Sequence, residues 1–225
     1  MPILLIPFRI RIEPMACLLR ITAWLLLGTC GTTCIAADVP GGKTATAGVD
    51  LRPVFAQWQL PPRVQGDRNT CSIFTIAGAL EFAVAKQQGV TPRLSIEYLN
   101  WAANRVARNA EDGAFFEDTW KGFAKYGACP EADMPYQSEF DPKLVPVRSA
   151  RDQAKEFQAD DFKFHWIKRW DPKTGLTDDE FKAICKVLDS GWPACAGCRW
   201  PKKRYLKWQG DLMVMVPPEQ VRDGH

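Results

Sequence analysis

The stretch QGDRNTCSIFTIAGALE, residues 65–81, decides how this chain folds. It opens as a polar loop and turns into an apolar run at Cys71. Phe74, Ala77, Leu80 and Val84 recur at helical spacing and Gly89 supplies a stop, so the pattern predicts a helix from Cys71 to Gln88. Cys71 then occupies the first turn, where unpaired backbone amides and the positive end of the helix dipole favour an anion. The thiolate is the form of cysteine that attacks carbonyl carbon. Gln65 lies six positions upstream and can donate an amide N–H toward an oxyanion formed beside the sulfur. The competing reading is a buried structural cysteine, because Cys packs as a small hydrophobe.

Working outward, three more helical windows appear. Ser95 is placed as an N-cap ahead of Ile96, Leu99 and Ala102 or Ala103. A third window covers about 114–126, ended by Gly127, and a fourth opens on Thr177 and Glu180 as a capping box and runs to Gly191. Strand-like runs follow near 193–200 and at 212–216. Residues 137–176 are polar and contain proline, which marks them as the crossing between two halves. Helices first and strands later give an α+β fold with segregated halves. No internal repeat or low-complexity segment is visible.

The 225 residues suit one domain built from two packed halves, and 46% hydrophobic with 24% charged residues is ordinary for a globular chain. A net charge of +3 and the lone basic cluster Lys202, Lys203 and Arg204 offer no nucleic-acid footprint. Residues 18–28, LLRITAWLLLG, followed by TCGTTCIAADVP, read as a secretory leader cleaved at Ala36 or Ala37, with Met15 a candidate true start. The leader is assigned to 1–37 and the domain to 38–225. The apolar core is shorter than the roughly 20 residues of a membrane span, so no stable span is expected after leader removal, although a lipid anchor at Cys30 is an alternative. The protein is expected to be exported, periplasmic or secreted. Beyond the leader, Cys71, Cys129, Cys185, Cys195 and Cys198 remain, and an oxidising compartment favours structural pairing among the last four. Cys195 and Cys198 form a lone CxxC without further zinc ligands, so no metal is expected. A thiol-redox role there is the least favoured reading.

The opening stretch resembles the segment that carries the nucleophile in papain-like cysteine peptidases, the family of papain and the cathepsins. LSIEYLNWA from Leu94 resembles the next helix start of that family. EDGAFFEDTWKGFAKYGACPEADMPY, residues 111–136, resembles its glycine loop, following helix and YPY stretch, and SGWPACAG, residues 190–197, its turn into a strand. The four lie in the family's order and span roughly residues 50–225. The resemblance implies a papain-like two-half fold, with a helical half carrying the cysteine and an antiparallel β half. It implies peptide or protein substrates in extended conformation and no cofactor. Cys71 matches the nucleophile, Gln65 the oxyanion-hole side chain, with the Cys71 N–H as second donor, and His225 the general base. Gly113, with Ala114 in place of a second glycine, matches the backbone that pairs with substrate.

The chain also departs from that pattern. Arg68 stands where the family has a disulfide cysteine, Asn69 where its bacterial branch has glycine, and Ser72 where it has tryptophan. No long inhibitory propeptide is recognised between the leader and residue 50. Nothing follows His225, so the orienting asparagine and the last strands of the β half are missing. The expectation is a product truncated at its base and inactive or partial as written. The alternative is a non-catalytic remnant, or a peptide-binding protein of the same fold. The other histidine, His165, sits in an aromatic and basic segment and reads as a packing or surface residue.

Overall fold

The computed structural model describes residues 48–157, 162–171, 173–209, 212–214 and 216–222, together with the backbone of residues 3–5. The chain divides into two units, residues 1–8 with 49–225, and residues 9–48. Apart from Gly48, the described residues belong to the first unit. The leader expected over 1–37, with Cys30, Met15 and the cleavage point at Ala36 or Ala37, lies outside the described residues save for Ile3–Leu5. His225 also lies outside them.

Six helices carry the described fold: α1 (Arg52–Gln57), α2 (Cys71–Gln88), α3 (Ile96–Ala107), α4 (Phe116–Tyr126), α5 (Arg148–Gln153) and α6 (Asp178–Asp189). The strands are short: β1 (Ile3–Leu5), β2 (Phe164–Trp166), β3 (Trp200–Pro201), β4 (Trp208–Gln209), β5 (Leu212–Met213) and β6 (Val221–Arg222). They pair antiparallel as β1 with β2, β3 with β6 and β4 with β5. The architecture is α+β.

Helix α2 is the hub. Ile73, Ile76, Ala77, Leu80, Ala83 and Val84 are buried in the main core with Leu94, Ile96, Leu99 and Phe123. Its opposite side is covered too, since Phe82 and Ala85 join Leu60 under Phe55, Trp58 and Trp192. Each fully buried Leu, Ile or Phe contributes roughly 1.5–3 kcal/mol of transfer free energy, which is why this helix keeps few polar positions. Gly89 ends it in the left-handed region at φ 69°. Helices α3 and α4 approach closely because Gly122 has no side chain; a Cβ there would lie 2.6 Å from the Ala102 carbonyl carbon and the Ala103 nitrogen.

The caps read from the sequence form as expected. Ser95 Oγ accepts the Tyr98 N–H at 2.9 Å and donates to the Met134 carbonyl. At α6, Thr177 Oγ1 accepts from the Glu180 amide at 3.2 Å while the Glu180 carboxylate accepts the Thr177 N–H at 2.7 Å. Other expectations are corrected. Among the described residues, the strand runs shrink to Trp200–Pro201 and Leu212–Met213, and Pro193 removes a ladder donor at the start of the first run. Residues 137–176, read as a plain crossing, contain α5 and β2. The third helix starts at Phe116 rather than near residue 114. Among the described residues, no helix is long and apolar enough to cross a membrane.

Candidate functional site

The loop before α2 hangs on a buried arginine. Arg68 is 6% exposed, and a guanidinium in that position is costly unless every face is met. Its Nη1 donates to Glu97 Oε2 at 2.6 Å and to the Gln137 carbonyl at 2.9 Å. Its Nη2 donates to Asp112 Oδ1 at 2.8 Å, and Nε reaches the same oxygen at 3.1 Å. The planar group also lies over the Tyr136 ring, 4.6 Å from its centroid. Burial works against the charge, but the hydrogen bonds to Glu97 and Asp112 outweigh it and raise the guanidinium pKa above its ordinary value.

A second set of bonds fixes the loop backbone. Asp112 Oδ2 accepts the Asn69 N–H at 3.1 Å. The Tyr136 hydroxyl donates to the Gln65 carbonyl at 3.0 Å and meets the Thr70 hydroxyl at 2.7 Å. Gln65 turns its amide nitrogen onto the Arg68 carbonyl. That contact uses one of the two amide hydrogens and sets the orientation of the carboxamide.

Cys71 is the first residue of α2, half-buried, with Thr70 as a cap whose side chain makes no bond to the helix end and no acidic residue in the first turn. The positive helix end is therefore not neutralised by a side chain of its own first turn. Cys71 lines a cavity of about 760 Å³. Asn69, Ser72, Gly113 and Ala114 form the adjoining wall, and Phe115, Phe116, Trp166 and Trp170 supply aromatic surface. Glu111 and Asp118 add acidic groups, while Glu117 is tied to Lys121 at 3.0 Å and to Arg169 at 3.4 Å.

The glycine loop is locked against the cysteine loop. Gly113 sits at φ 97°, and a Cβ there would lie 2.0 Å from the Asn69 carbonyl oxygen. Its N–H is spent on Asn100 Oδ1 at 3.0 Å. The Ser72 hydroxyl donates to the Ala114 carbonyl. Among the described residues, the Gly113 carbonyl and the Ala114 N–H keep no internal partner and are the backbone groups left for a ligand.

Of the residues singled out from the sequence, Cys71, Gly113 and Ala114 come together on one cavity. Gln65 is tied to the Arg68 carbonyl and is not on the cavity lining. His165 is exposed on β2 between Phe164 and Trp166, which turn to the core, so it faces away from them. The expected pairing among the last four cysteines is not found. Cys129, Cys185, Cys195 and Cys198 are all thiols. Cys195 is buried beside α2, its S–H 3.7 Å from the Thr75 carbonyl, whereas Cys129 belongs to a separate cluster with Tyr98 and Met134 and Cys198 is exposed.

Sequence reasoning missed the Arg68–Glu97–Asp112 knot and Tyr136. The one signal for it was a charged residue standing where a cysteine was expected, because the partners are 29 and 44 positions away. The aromatic wall from Trp166 and Trp170 had no local signature at all.

No family model matches the chain, and no curated protein matches it. Solved structures do show similarity. Xylellain, a cysteine protease from Xylella fastidiosa, is 22% identical over 44% of this chain and 43% of its own, with a TM-score of 0.38. The digestive procathepsin L 3 of Tenebrio molitor larval midgut is 24% identical over 52% of this chain and 36% of its own, with a TM-score of 0.38. A structure from work on the mite allergens Blo t 1 and Der p 1 is 21% identical over 49% of this chain and 37% of its own, with a TM-score of 0.36. The chain spans less than half the length of each of these structures.

Proposed function

We propose that the protein is a papain-like cysteine peptidase that hydrolyses peptide bonds through a thiolate at Cys71. The observation that carries this reading is the meeting of Cys71, at the open positive end of α2, with the Gly113–Ala114 backbone on one cavity. The four sequence segments that resemble the family, in the family's order, support it.

In this reading an extended peptide lies along the glycine loop, accepting from the Ala114 N–H and donating to the Gly113 carbonyl. The Cys71 sulfur attacks the scissile carbonyl, and the oxyanion accepts from the Cys71 N–H and from the second hydrogen of the Gln65 amide. The C–N bond breaks as the base returns the thiol proton to the leaving amine. Water then releases the acid from the thioester and regenerates the thiol. His225 is the base of this proposal. Substrates are peptides or proteins met outside the cytoplasm, where the leader directs the chain.

The test is hydrolysis of short peptide amides by the protein from its native source, compared with Cys71→Ala. The reading expects turnover in the first and none in the second, with folding and export unchanged. Turnover retained in Cys71→Ala sinks the nucleophile assignment. Binding of extended peptides without turnover in either protein establishes the non-catalytic alternative.

A further inference from the structure

We propose that Arg68 and Asp112 form an ionic clamp that sets the gap between Cys71 and the Gly113–Ala114 backbone, making both positioning residues. This inference rests on the peptidase reading and concerns how that site is held in register.

One guanidinium ties together three segments distant in sequence. Glu97 belongs to α3, Asp112 to the glycine loop and Gln137 to the stretch beyond the YPY-like segment, while Arg68 itself sits three residues before Cys71. The contact that matters most is the one with Asp112. That carboxylate uses Oδ1 for two hydrogens of Arg68 and Oδ2 for the Asn69 amide, so it grips both the side chain and the backbone of the cysteine loop. The residue after it is Gly113, whose Cα is packed against the Asn69 carbonyl. Only Thr70 separates Asn69 from Cys71. The path from sulfur to substrate-pairing backbone therefore runs through two residues on one side, one on the other, and the clamp between them.

The chemistry of arginine suits this task. Its planar fork presents several donors at fixed angles, and it stays charged at every working pH. Lysine places its three donors on one nitrogen at the end of a flexible stem and lacks the planar fork that meets Asp112 through Nε and Nη2. Misplacing reacting groups by about 1 Å costs on the order of a hundredfold in rate, so a clamp here acts on peptide reactions by aligning Cys71 with the Gly113–Ala114 backbone of the cavity that Asp112 also lines. Its effect is on alignment, not on the reactivity of the thiol.

Two reagents separate those effects. Iodoacetamide needs only the sulfur, whereas a peptidyl chloromethyl ketone must also lie along the glycine loop. Second-order rate constants for labelling Cys71 are measured with both in the full chain, for wild type, Asp112→Ala, Asp112→Asn and Arg68→Lys. Thermal melting reports whether each variant is folded. Asp112→Ala leaves Arg68 paired with Glu97 and Gln137, and is the variant that keeps the test interpretable if Arg68→Lys does not fold. The clamp predicts that the peptidyl rate falls about tenfold to a hundredfold in Asp112→Ala, with the iodoacetamide rate unchanged and Asp112→Asn intermediate. An unchanged peptidyl rate in Asp112→Ala overturns it, and so does an equal fall with both reagents. A wild-type protein whose Cys71 is labelled by iodoacetamide but not by the peptidyl reagent overturns the peptidase reading itself, a result distinct from the other two.

Discussion

Gly113 is pressed against Asn69 so closely that a single added carbon would stand 2.0 Å from the Asn69 carbonyl oxygen. The glycine loop and the cysteine loop are thus one packed object, not two loops that happen to line the same cavity. Gly113→Ala meets backbone on one side and a φ of 97° on the other. It is expected to destabilise the fold by about 3 kcal/mol or more, read from denaturant midpoints, and to slow any reaction at Cys71 that uses the loop. A variant as stable as wild type contradicts the packing described.

Two further glycines give opposite predictions. Gly122→Ala drives a Cβ to 2.6 Å from α3 backbone and should cost about 3 kcal/mol by forcing α3 and α4 apart. Gly78, in the interior of α2, has nothing within 4 Å of the same added carbon. Gly78→Ala should stabilise by about 0.5–1 kcal/mol through helix propensity and a less flexible unfolded chain. Melting curves of both variants, recorded side by side, check the pair.

Glu81 anchors the other end of the helical half. It is 1% exposed on α2 and accepts the Leu94 N–H at 2.7 Å and Arg63 at 2.9 Å, with Arg93 at 3.4 Å. Burial pushes its carboxyl up, and the two guanidiniums and the amide oppose that push without cancelling it. Glu81→Ala removes an acceptor from Arg63, from Arg93 and from the buried Leu94 amide. A loss of about 3 kcal/mol is expected, and a loss below about 1 kcal/mol, the level of a surface pair, contradicts it.

Buried thiols give a pH signature. Burial pushes both Cys129 and Cys195 up to about 12. In the unfolded chain they release protons from about pH 8.5, while the folded chain holds them until about 12. Their contribution to stability is therefore complete below about pH 8.5 and lost as pH rises toward 12. Cys129→Ser with Cys195→Ser should flatten the alkaline limb of the stability profile. At pH 8, iodoacetamide should modify exposed Cys198 and leave both buried thiols intact, as peptide mapping will read.

Much of the helical half was legible because its signals are local. The cysteine-led helix, the Ser95 cap, the Thr177–Glu180 box and the stops at Gly89 and Gly127 each depend on neighbours within one or two turns. Helices α1 and α5 were not, since six residues are too few to show a 3.6-residue period. The site divides the same way. Cys71 and Gly113 could be read from their own loops, but the tie between them runs through Arg68 and Asp112, a pairing across 44 positions that no periodicity encodes. The pairing expected of the last four cysteines failed for a related reason. Spacing along the chain says nothing about Cys129 and Cys195 belonging to different clusters.

The most direct test of Cys71 as nucleophile is the intact mass of the protein from its native source, before and after reaction with a peptidyl chloromethyl ketone, followed by peptide mapping. The account predicts one adduct, carried by Cys71, and a matching loss of peptide-amide hydrolysis. An unmodified protein, or an adduct carried by Cys198 with hydrolysis unaffected, would contradict it.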